Sequence, residues 1–437
     1  MVLGAILATI PFGPPEADTL DPTTVPGDVS GQIERLIEPQ ARADLFSGVI
    51  LVQQGDRVVF QRAAGFASWE LRVANSERTR FGIGSITKPM TQALVSRLVE
   101  QHRLNPRAPV EQYIPGFPKG PNGEKPTIEQ LLKHTAGVPH RVTTPAEEML
   151  PLHPADIVER VKARGLLFEP GSQELYSSAG YTCLARIIEI IEGRSFEDAL
   201  AEEVFKPAEM KSAMSETGSR LMPDRALPYV LGAGKGGPAI EIASPYENLS
   251  FLAGAGSVYA TPADLVAFVR KVRDGALGEE LKSWAIEGDK DEWRGWYGRT
   301  NGYEASVDLL PSQDLVVAMV SNLQSAANWQ VRKGIHDLAV GRPVPAIPWP
   351  PARAANFEPP SDVVGLYGDR NDPLEFAVHE GELFRDEDQI YPVAGDKYYE
   401  PVSGRTMRFH RQDGKVDSIV TTYGDGRERV LRKLAAP

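Results

Sequence analysis

Residues 82–91 read GIGSITKPMT, which sets Ser85 and Lys88 three positions apart with Pro89 directly behind. In the stretch that follows, PMTQALVSRLVEQHRL, Met90, Ala93, Leu94 and Leu98 recur at helical spacing and predict a helix opening at SITKP. A proline close to the first turn fits, because its missing N–H is least needed there. A lysine one turn after a serine shares its face and can sit beside the hydroxyl. That hydroxyl is a poor nucleophile until a base takes its proton. The partial positive charge of a helix start disfavours the ammonium and pushes the lysine toward its basic form. The same peptide N–H groups can face a developing oxyanion. The pattern suits acyl transfer. By average residue usage, however, one Ser-x-x-Lys arises roughly once by chance in a chain this long.

The surrounding chain supplies company for it. GQIERLIEP (31–39) predicts a short amphipathic helix, and SGVILVQQGDRVVFQRAAG (47–65) predicts two strands turning at Gly55-Asp56. Residues 105 to 245 read as helices with long loops. SFEDALAEEVF opens with Ser195 and Asp198 in capping positions, and TPADLVAFVRKVRDG places Thr261 as cap, Pro262 next and Gly275 past the end. GWYGRTNGYEASVDLLP and DLVVAMVSN predict strands, and ANWQVRKGIHDLAVG a closing helix. FEPGSQELYSSAGYTCLARIIE puts Tyr176 and Ser178 just ahead of an apolar helix. A tyrosine beside a lysine ammonium can have a lowered phenol pKa and act as a shared base. His134 and His140, in IEQLLKHTAGVPH, are expected to fix a turn near the site rather than act as bases. RGWYGRTNGYEAS has closely spaced glycines where a backbone can approach a substrate. Trp293, Trp296, Tyr297 and Tyr303 around it are candidate pocket walls, with plain packing as the other reading.

Taken in order, GSITKPMT, LLKHTAG, FEPGSQELYSSAGY, VFKPAEMKSAMSET, AGAGSVYATPADLVAF and GWYGRTNGYEAS resemble the serine β-lactamase-like superfamily. Within it the chain looks most like the branch of class C β-lactamases, D-aminopeptidases and family VIII carboxylesterases, closest in motif pattern to the last. The resemblance covers roughly residues 31 to 341. It implies an α+β fold, an antiparallel sheet flanked by helices with a helical subdomain. It also implies Ser85 as nucleophile, Lys88 as holder of the proton network and Tyr176 as general base in both acylation and deacylation. The backbone N–H groups of Ser85 and Arg299 would form the oxyanion hole, and Ser178, Trp296, Tyr297 and Gly298 would line the substrate pocket. Two departures matter. Trp296-Tyr297-Gly298 stands where the family's third motif begins with Lys or His, and Ser178 stands where the second ends in Asn. Both weaken recognition of a carboxylated β-lactam or peptide and favour a simple ester, unless Arg294 or Arg299 restores the charge. The expected activity is a carboxylesterase on short-chain esters working through an acyl-enzyme. D-aminopeptidase or amidase activity is the first alternative and weak β-lactamase the second, with a non-catalytic ligand-binding relative as the contrasting class.

Composition agrees with a large catalytic unit plus an accessory module. Of 437 residues 42% are hydrophobic and 24% charged, enough for a real core. A net charge of -12 argues against a phosphate-binding surface and hence against nucleic acid. Cys183 is the single cysteine, read as a buried thiol, and the seven histidines show no zinc spacing, so no metal or cofactor is expected. LGAGKGGP (231–238) lacks the helix start of a dinucleotide site and the Lys-Ser/Thr of a P-loop, and reads as a flexible loop. No G-x-S-x-G nucleophile elbow occurs. Residues 1–30 form an N-terminal extension whose apolar start, MVLGAILATIPFGPPEA, has the length of a signal peptide but no basic n-region, and no other stretch is fit to span a membrane. The proline-dense 342–360 predicts a stiff linker, and 361–437 a small antiparallel β-barrel resembling a lipocalin-like module. The expected partner is a small ester or amide substrate, with homo-oligomerisation left open.

Overall fold

Strands from the two ends of the α+β unit make one sheet. In a computed structural model, residues 28–234, 237–242, 247–347, 350–354, 359–370, 373–379, 381–386, 388–393, 397–423 and 426–435 are described. Helix α1 (Val29–Arg42) leads into the hairpin β1 (Gly48–Gln54) and β2 (Arg57–Ala64). Short strands β3 (Phe66–Ser68), β4 (Val73–Ala74) and β5 (Phe81–Gly82) precede α2 (Thr87–Glu100). Helices α3 (Ile128–Leu132), α4 (Pro145–Glu148), α5 (Pro154–Arg164), α6 (Ser178–Glu192) and α7 (Phe196–Leu200) form the helical region. Strands β6 (Met214–Ser215), β7 (Tyr229–Gly234), β8 (Gly237–Ile242) and β9 (Val258–Ala260) follow, then α8 (Pro262–Arg273) and α9 (Glu279–Ile286). The unit closes with β10 (Arg294–Thr300), β11 (Tyr303–Leu310), β12 (Leu315–Ser321), β13 (Leu323–Gln324) and α10 (Ala326–Ala339).

The main sheet runs β10-β11-β12-β1-β2 and is antiparallel throughout. Its period of two separates two cores. Val49, Leu51, Val316, Ala318 and Val320 join Met90, Leu94, Leu184 and Phe268 of α2, α6 and α8. Ile50, Val52, Val317 and Met319 join Ile33, Ile37, Val331 and Ile335 of α1 and α10. With both faces covered, β11 and β12 are buried at every position, which is why LVVAMVS reads as unbroken apolar sequence. Thr261 and Asp264 form the expected capping box on α8, a feature worth about 1 kcal/mol. Ser195 caps α7 as expected, but the winding changes to a π-helix over Ala201–Phe205.

LGAGKGGP corrects one expectation. Leu231–Gly234 and Gly237-Pro238 belong to β7 and β8, paired antiparallel with Leu231 opposite Ile240, so the stretch forms most of a hairpin rather than a flexible loop. Its tip, Lys235 and Gly236, lies outside the described residues. β7 also pairs in parallel with β13, Leu323 opposite Tyr229, and these ladders offset the low strand propensity of glycine.

In the C-terminal module, β14 (Gly365–Gly368), β15 (Pro373–His379), β16 (Glu382–Arg385), β17 (Asp388–Pro392), β18 (Lys397–Glu400), β19 (Arg405–Gln412), β20 (Lys415–Thr422) and β21 (Glu428–Arg432) pair in sequence order. A bridge between Tyr367 and Lys433 brings the last strand back to the first, giving a nearly closed barrel around Tyr367, Phe376, Ile390, Met407 and Ile419. The described residues of the proline-dense stretch, 342–347, 350–354 and 359–360, carry neither helix nor strand. The apolar start of the chain lies outside the described residues. Among those described, no helix is long and apolar enough to cross a membrane, and no cluster of His, Cys, Asp and Glu is placed to hold a metal.

Candidate active site

The Ser85-containing turn is built from glycine and burial. Gly84 takes a φ of +50°, and one 3-10 turn, Gly84–Ile86, passes directly into α2. Met90, Ala93, Leu94 and Leu98 point into the core as their spacing predicted. The segment after η-turn residues 249–252 clasps the start of α2. Thr91 donates its hydroxyl to the Gly254 carbonyl at 2.7 Å, the Val258 N–H donates to Thr87 Oγ1 at 3.3 Å, and Lys88 Nζ donates to the Ala255 carbonyl at 3.0 Å. A Cβ on Gly254, whose φ is +79°, would fall 2.6 Å from the Tyr181 carbonyl oxygen, so the clasp requires glycine there.

Three predicted residues converge on one point. Ser85 Oγ lies 2.6 Å from the Tyr176 phenol oxygen and 3.1 Å from Lys88 Nζ. Lys88 Nζ sits 4.6 Å from the centre of the Tyr176 ring. Burial pushes Lys88 down to about 7, near the point where half the molecules carry a free amine at neutral pH. Tyr176 moves the other way: burial raises its pKa despite the hydrogen bond to Ser85. The expected lowering by a lysine ammonium does not prevail: desolvation is the dominant influence on this phenol.

His134 and His140 fix the turn, as anticipated. Their rings lie 4.6 and 5.5 Å from that of Tyr176. Each Nδ1 accepts a backbone N–H, from Ser177 at 3.1 Å and Ser178 at 3.4 Å. Burial, reinforced by nearby positive charge, pushes both imidazoles down to about 4, so both are neutral around pH 7. Ser177 caps α6 by accepting from the Gly180 N–H at 2.8 Å and donates to the Pro139 carbonyl at 2.8 Å. Ser178 is the buried first residue of that helix.

The glycines of β10 approach the Ser85 turn itself. A Cβ on Gly298 would lie 1.9 Å from the Ile83 oxygen and 2.7 Å from the Ser85 nitrogen, and one on Gly84 would lie 2.7 Å from the Arg299 nitrogen. The Ser85 and Arg299 peptide nitrogens thus meet where these two backbones touch. Strand alternation then divides the remaining candidates. Trp296 and Gly298 pair with Val307 and Ala305 on the face toward α2. The Trp296 ring stacks on Trp284 at 3.8 Å and lies 5.6 Å from Phe268, so packing against α8 and α9 fixes it.

Tyr297 and Arg299 point to the opposite face, and this corrects two readings. Tyr297 donates to Glu304 at 3.0 Å and is not a wall of the Ser85 pocket. Arg299 binds both oxygens of Asp388, at 2.7 and 2.8 Å, in the C-terminal barrel, so its guanidinium does not restore a charge beside Ser85. Arg294 is likewise committed, to the carbonyls of Trp284 at 3.0 Å and Asp289 at 2.9 Å. Trp293 stacks on His336 of α10, and Tyr303 is buried with its hydroxyl donated to the Ala226 carbonyl at 2.6 Å. Both are packing. Cys183 is buried, and burial pushes its thiol up to about 12. Sequence reasoning missed the Ala255 carbonyl and Asp388. A backbone acceptor leaves no residue signal, and Asp388 becomes relevant only through docking.

The Beta-lactamase family profile matches residues 33–340. A protein of Bacillus subtilis (strain 168) named as penicillin-binding protein PbpX is 27% identical over 307 residues, covering 67% of this chain and 75% of its own. Among solved structures, SurE superposes with a TM-score of 0.61 at 21% identity over 94% of this chain and 99% of its own. EstCE1, described as a hydrolase with promiscuous acyltransferase activity, superposes with a TM-score of 0.57 at 19% identity over 72% of this chain and 99% of its own.

Proposed function

The chain belongs to the Beta-lactamase family and is a serine hydrolase of the β-lactamase and penicillin-binding-protein kind, and from that premise we propose that it is a carboxylesterase acting through an acyl-enzyme on Ser85. The observation that carries the proposal is the Ser85 Oγ held 2.6 Å from Tyr176 and 3.1 Å from a desolvated Lys88.

The charge states divide the proton work. Lys88 donates an N–H to the Ala255 carbonyl, and in the neutral amine the Nζ, 3.1 Å from Ser85 Oγ, can turn its lone pair to the serine hydroxyl. As Oγ attacks the ester carbonyl, Lys88 takes the proton, and the developing oxyanion is met by the N–H groups of Ser85 and Arg299. Collapse expels the alcohol oxygen, which takes the phenol proton of Tyr176. This leaves lysinium beside phenolate. In deacylation the phenolate removes a proton from water, the resulting hydroxide attacks the acyl carbon, and Ser85 Oγ leaves with the Lys88 proton. Every group returns to its starting state. Tyr176 keeps the expected base role in the second step, while Lys88 takes it in the first.

Substrate preference rests on charge. Trp296 occupies the third-motif position, and the guanidinium groups of Arg294 and Arg299 are bound elsewhere. This environment favours a neutral ester over a carboxylated β-lactam or peptide. The amidase alternative shares the machinery and differs only in the leaving amine. The test is turnover of p-nitrophenyl acetate and butyrate by wild type and Ser85→Ala, with nitrocefin and D-alanine p-nitroanilide in parallel. Ester turnover that vanishes in the variant, with little on the other two, supports the proposal. A dominant anilide rate would reassign it as an amidase. No acyl turnover in wild type would leave a binding protein.

A further inference from the structure

β10 is an edge strand of the main sheet: Gly298 and Arg299 pair with Ala305 and Glu304 of β11 on one side, and no strand of that sheet pairs with them on the other, where side chains can add to the restraint. Arg299 Nη2 donates to Asp388 Oδ1 and Oδ2 at 2.7 and 2.8 Å and to Gln324 Oε1 at 3.4 Å. Gln324 in turn donates to the Thr300 carbonyl at 2.5 Å and the Tyr303 carbonyl at 3.3 Å. Asp388 opens β17, opposite Arg385 across the β16–β17 hairpin. The Arg385 guanidinium lies 3.5 Å from Asp388 and 3.0 Å from the fully buried Glu400, which also accepts from Ser403. A second tie runs from the Ala326 N–H at the start of α10 to the Pro401 carbonyl, at 2.9 Å. The barrel therefore presents a braced carboxylate to the back of the strand whose front meets Ser85.

We infer that Asp388 is a positioning residue, through which the C-terminal barrel holds the Arg299 peptide in register with Ser85. The inference rests on the serine-hydrolase reading and on the Arg299 N–H as an oxyanion donor. A charge-assisted contact from one guanidinium nitrogen to both carboxylate oxygens, braced by Arg385 behind the carboxylate, restrains the distance between the two elements. Without Asp388, Arg299 keeps its charge and the nearby Glu304 but loses its hydrogen-bonded link to the barrel, and the strand end can relax away from the turn. A displacement of about 1 Å in a catalytic group lowers turnover by about 100-fold.

The experiment uses the full chain with Asp388→Asn, Asp388→Ala and Asp388→Glu. Arg353→Ala serves as a control that breaks another pair on the barrel, to Glu382 at 2.8 Å. Turnover of p-nitrophenyl butyrate is resolved into kcat and KM beside thermal melting. The isosteric asparagine separates lost charge from lost folding. The expected result is a kcat lower by about 10- to 100-fold in the Asn and Ala variants, with KM within about twofold, melting close to the control and partial recovery in Asp388→Glu. A kcat within about twofold of wild type, or an equal loss in Arg353→Ala, would overturn the positioning role while leaving the hydrolase reading intact. A wild type that neither turns over an ester nor labels at Ser85 with a fluorophosphonate would overturn both.

Discussion

The Ser85 hydroxyl and the Tyr176 phenol oxygen stand 2.6 Å apart across 91 residues of chain. Neither is positioned by its own segment alone. The Ser85 hydroxyl comes from a glycine-led turn, and the phenol from a loop pinned by two neutral imidazoles.

Removing that oxygen while keeping the ring tests the division of labour. Tyr176→Phe preserves packing against His134, His140 and Lys88 but leaves no proton for the alcohol and no base for water. Steady-state ester turnover should fall by about 100- to 10,000-fold. An initial burst of p-nitrophenol approaching one equivalent should precede the slow phase, because the activated nitrophenolate leaves without protonation. Stopped-flow measurement reads both. An unchanged steady rate would remove Tyr176 from the mechanism.

Lys88 sets the pH dependence. The neutral amine is the active form, so kcat/KM should rise with pH, reach half its plateau near about 7 and stay high above it. His134 and His140, at about 4, contribute no limb between about pH 5 and 8. A bell centred below pH 6 would contradict this assignment.

The same burial has a cost in stability. The Lys88 pKa falls from 10.5 to about 7 on folding, so between those values the unfolded chain binds more protons. The cost is therefore absent above 10.5, grows as pH falls and is complete once pH has passed below about 7. Lys88→Met should abolish turnover yet raise the melting temperature at pH 7. A lower melting temperature would mean that the hydrogen bonds to Ser85 and Ala255 outweigh desolvation.

Gly298 permits the closest approach of the two backbones. Gly298→Ala places a methyl 1.9 Å from the Ile83 oxygen, and either β10 or the nucleophile turn must move. Ester kcat should drop by about 100- to 1,000-fold, the loss that follows removal of one oxyanion donor. Near-wild-type kcat would show that the proposed hole lies elsewhere.

Trp296 tests the charge argument. Trp296→Lys removes the stack on Trp284 at a partly buried position and should destabilise the chain by about 1–3 kcal/mol. It should also shift preference toward anionic substrates, read as a rising ratio of nitrocefin to p-nitrophenyl acetate turnover. A falling ratio would sever the link between this position and substrate charge.

Much of this was legible in the chain. The helix behind Ser85 follows from the spacing of Met90, Ala93, Leu94 and Leu98, and the α8 start from Thr261, Pro262 and Asp264, because local spacing and capping act within one or two turns. The hairpin β1–β2 and the barrel strands follow from alternation broken by turn residues. LGAGKGGP misled because glycine-rich sequence has low strand propensity and carries no apolar alternation to reveal its pairing with β8, and Tyr297 because the order Trp-Tyr-Gly does not say which of two adjacent residues faces the site.

By itself, then, the sequence determined most of the elements, the family resemblance and the proposed trio of Ser85, Lys88 and Tyr176, since those depend on residue type and short spacing. The tertiary structure decided the rest. It lowered Lys88 by burial, raised Tyr176, sent Tyr297 and Arg299 to the far side of β10, and set Asp388 of the barrel behind the strand. Desolvation, strand facing and docking are properties of neighbours brought together by folding, and no local stretch of chain encodes them.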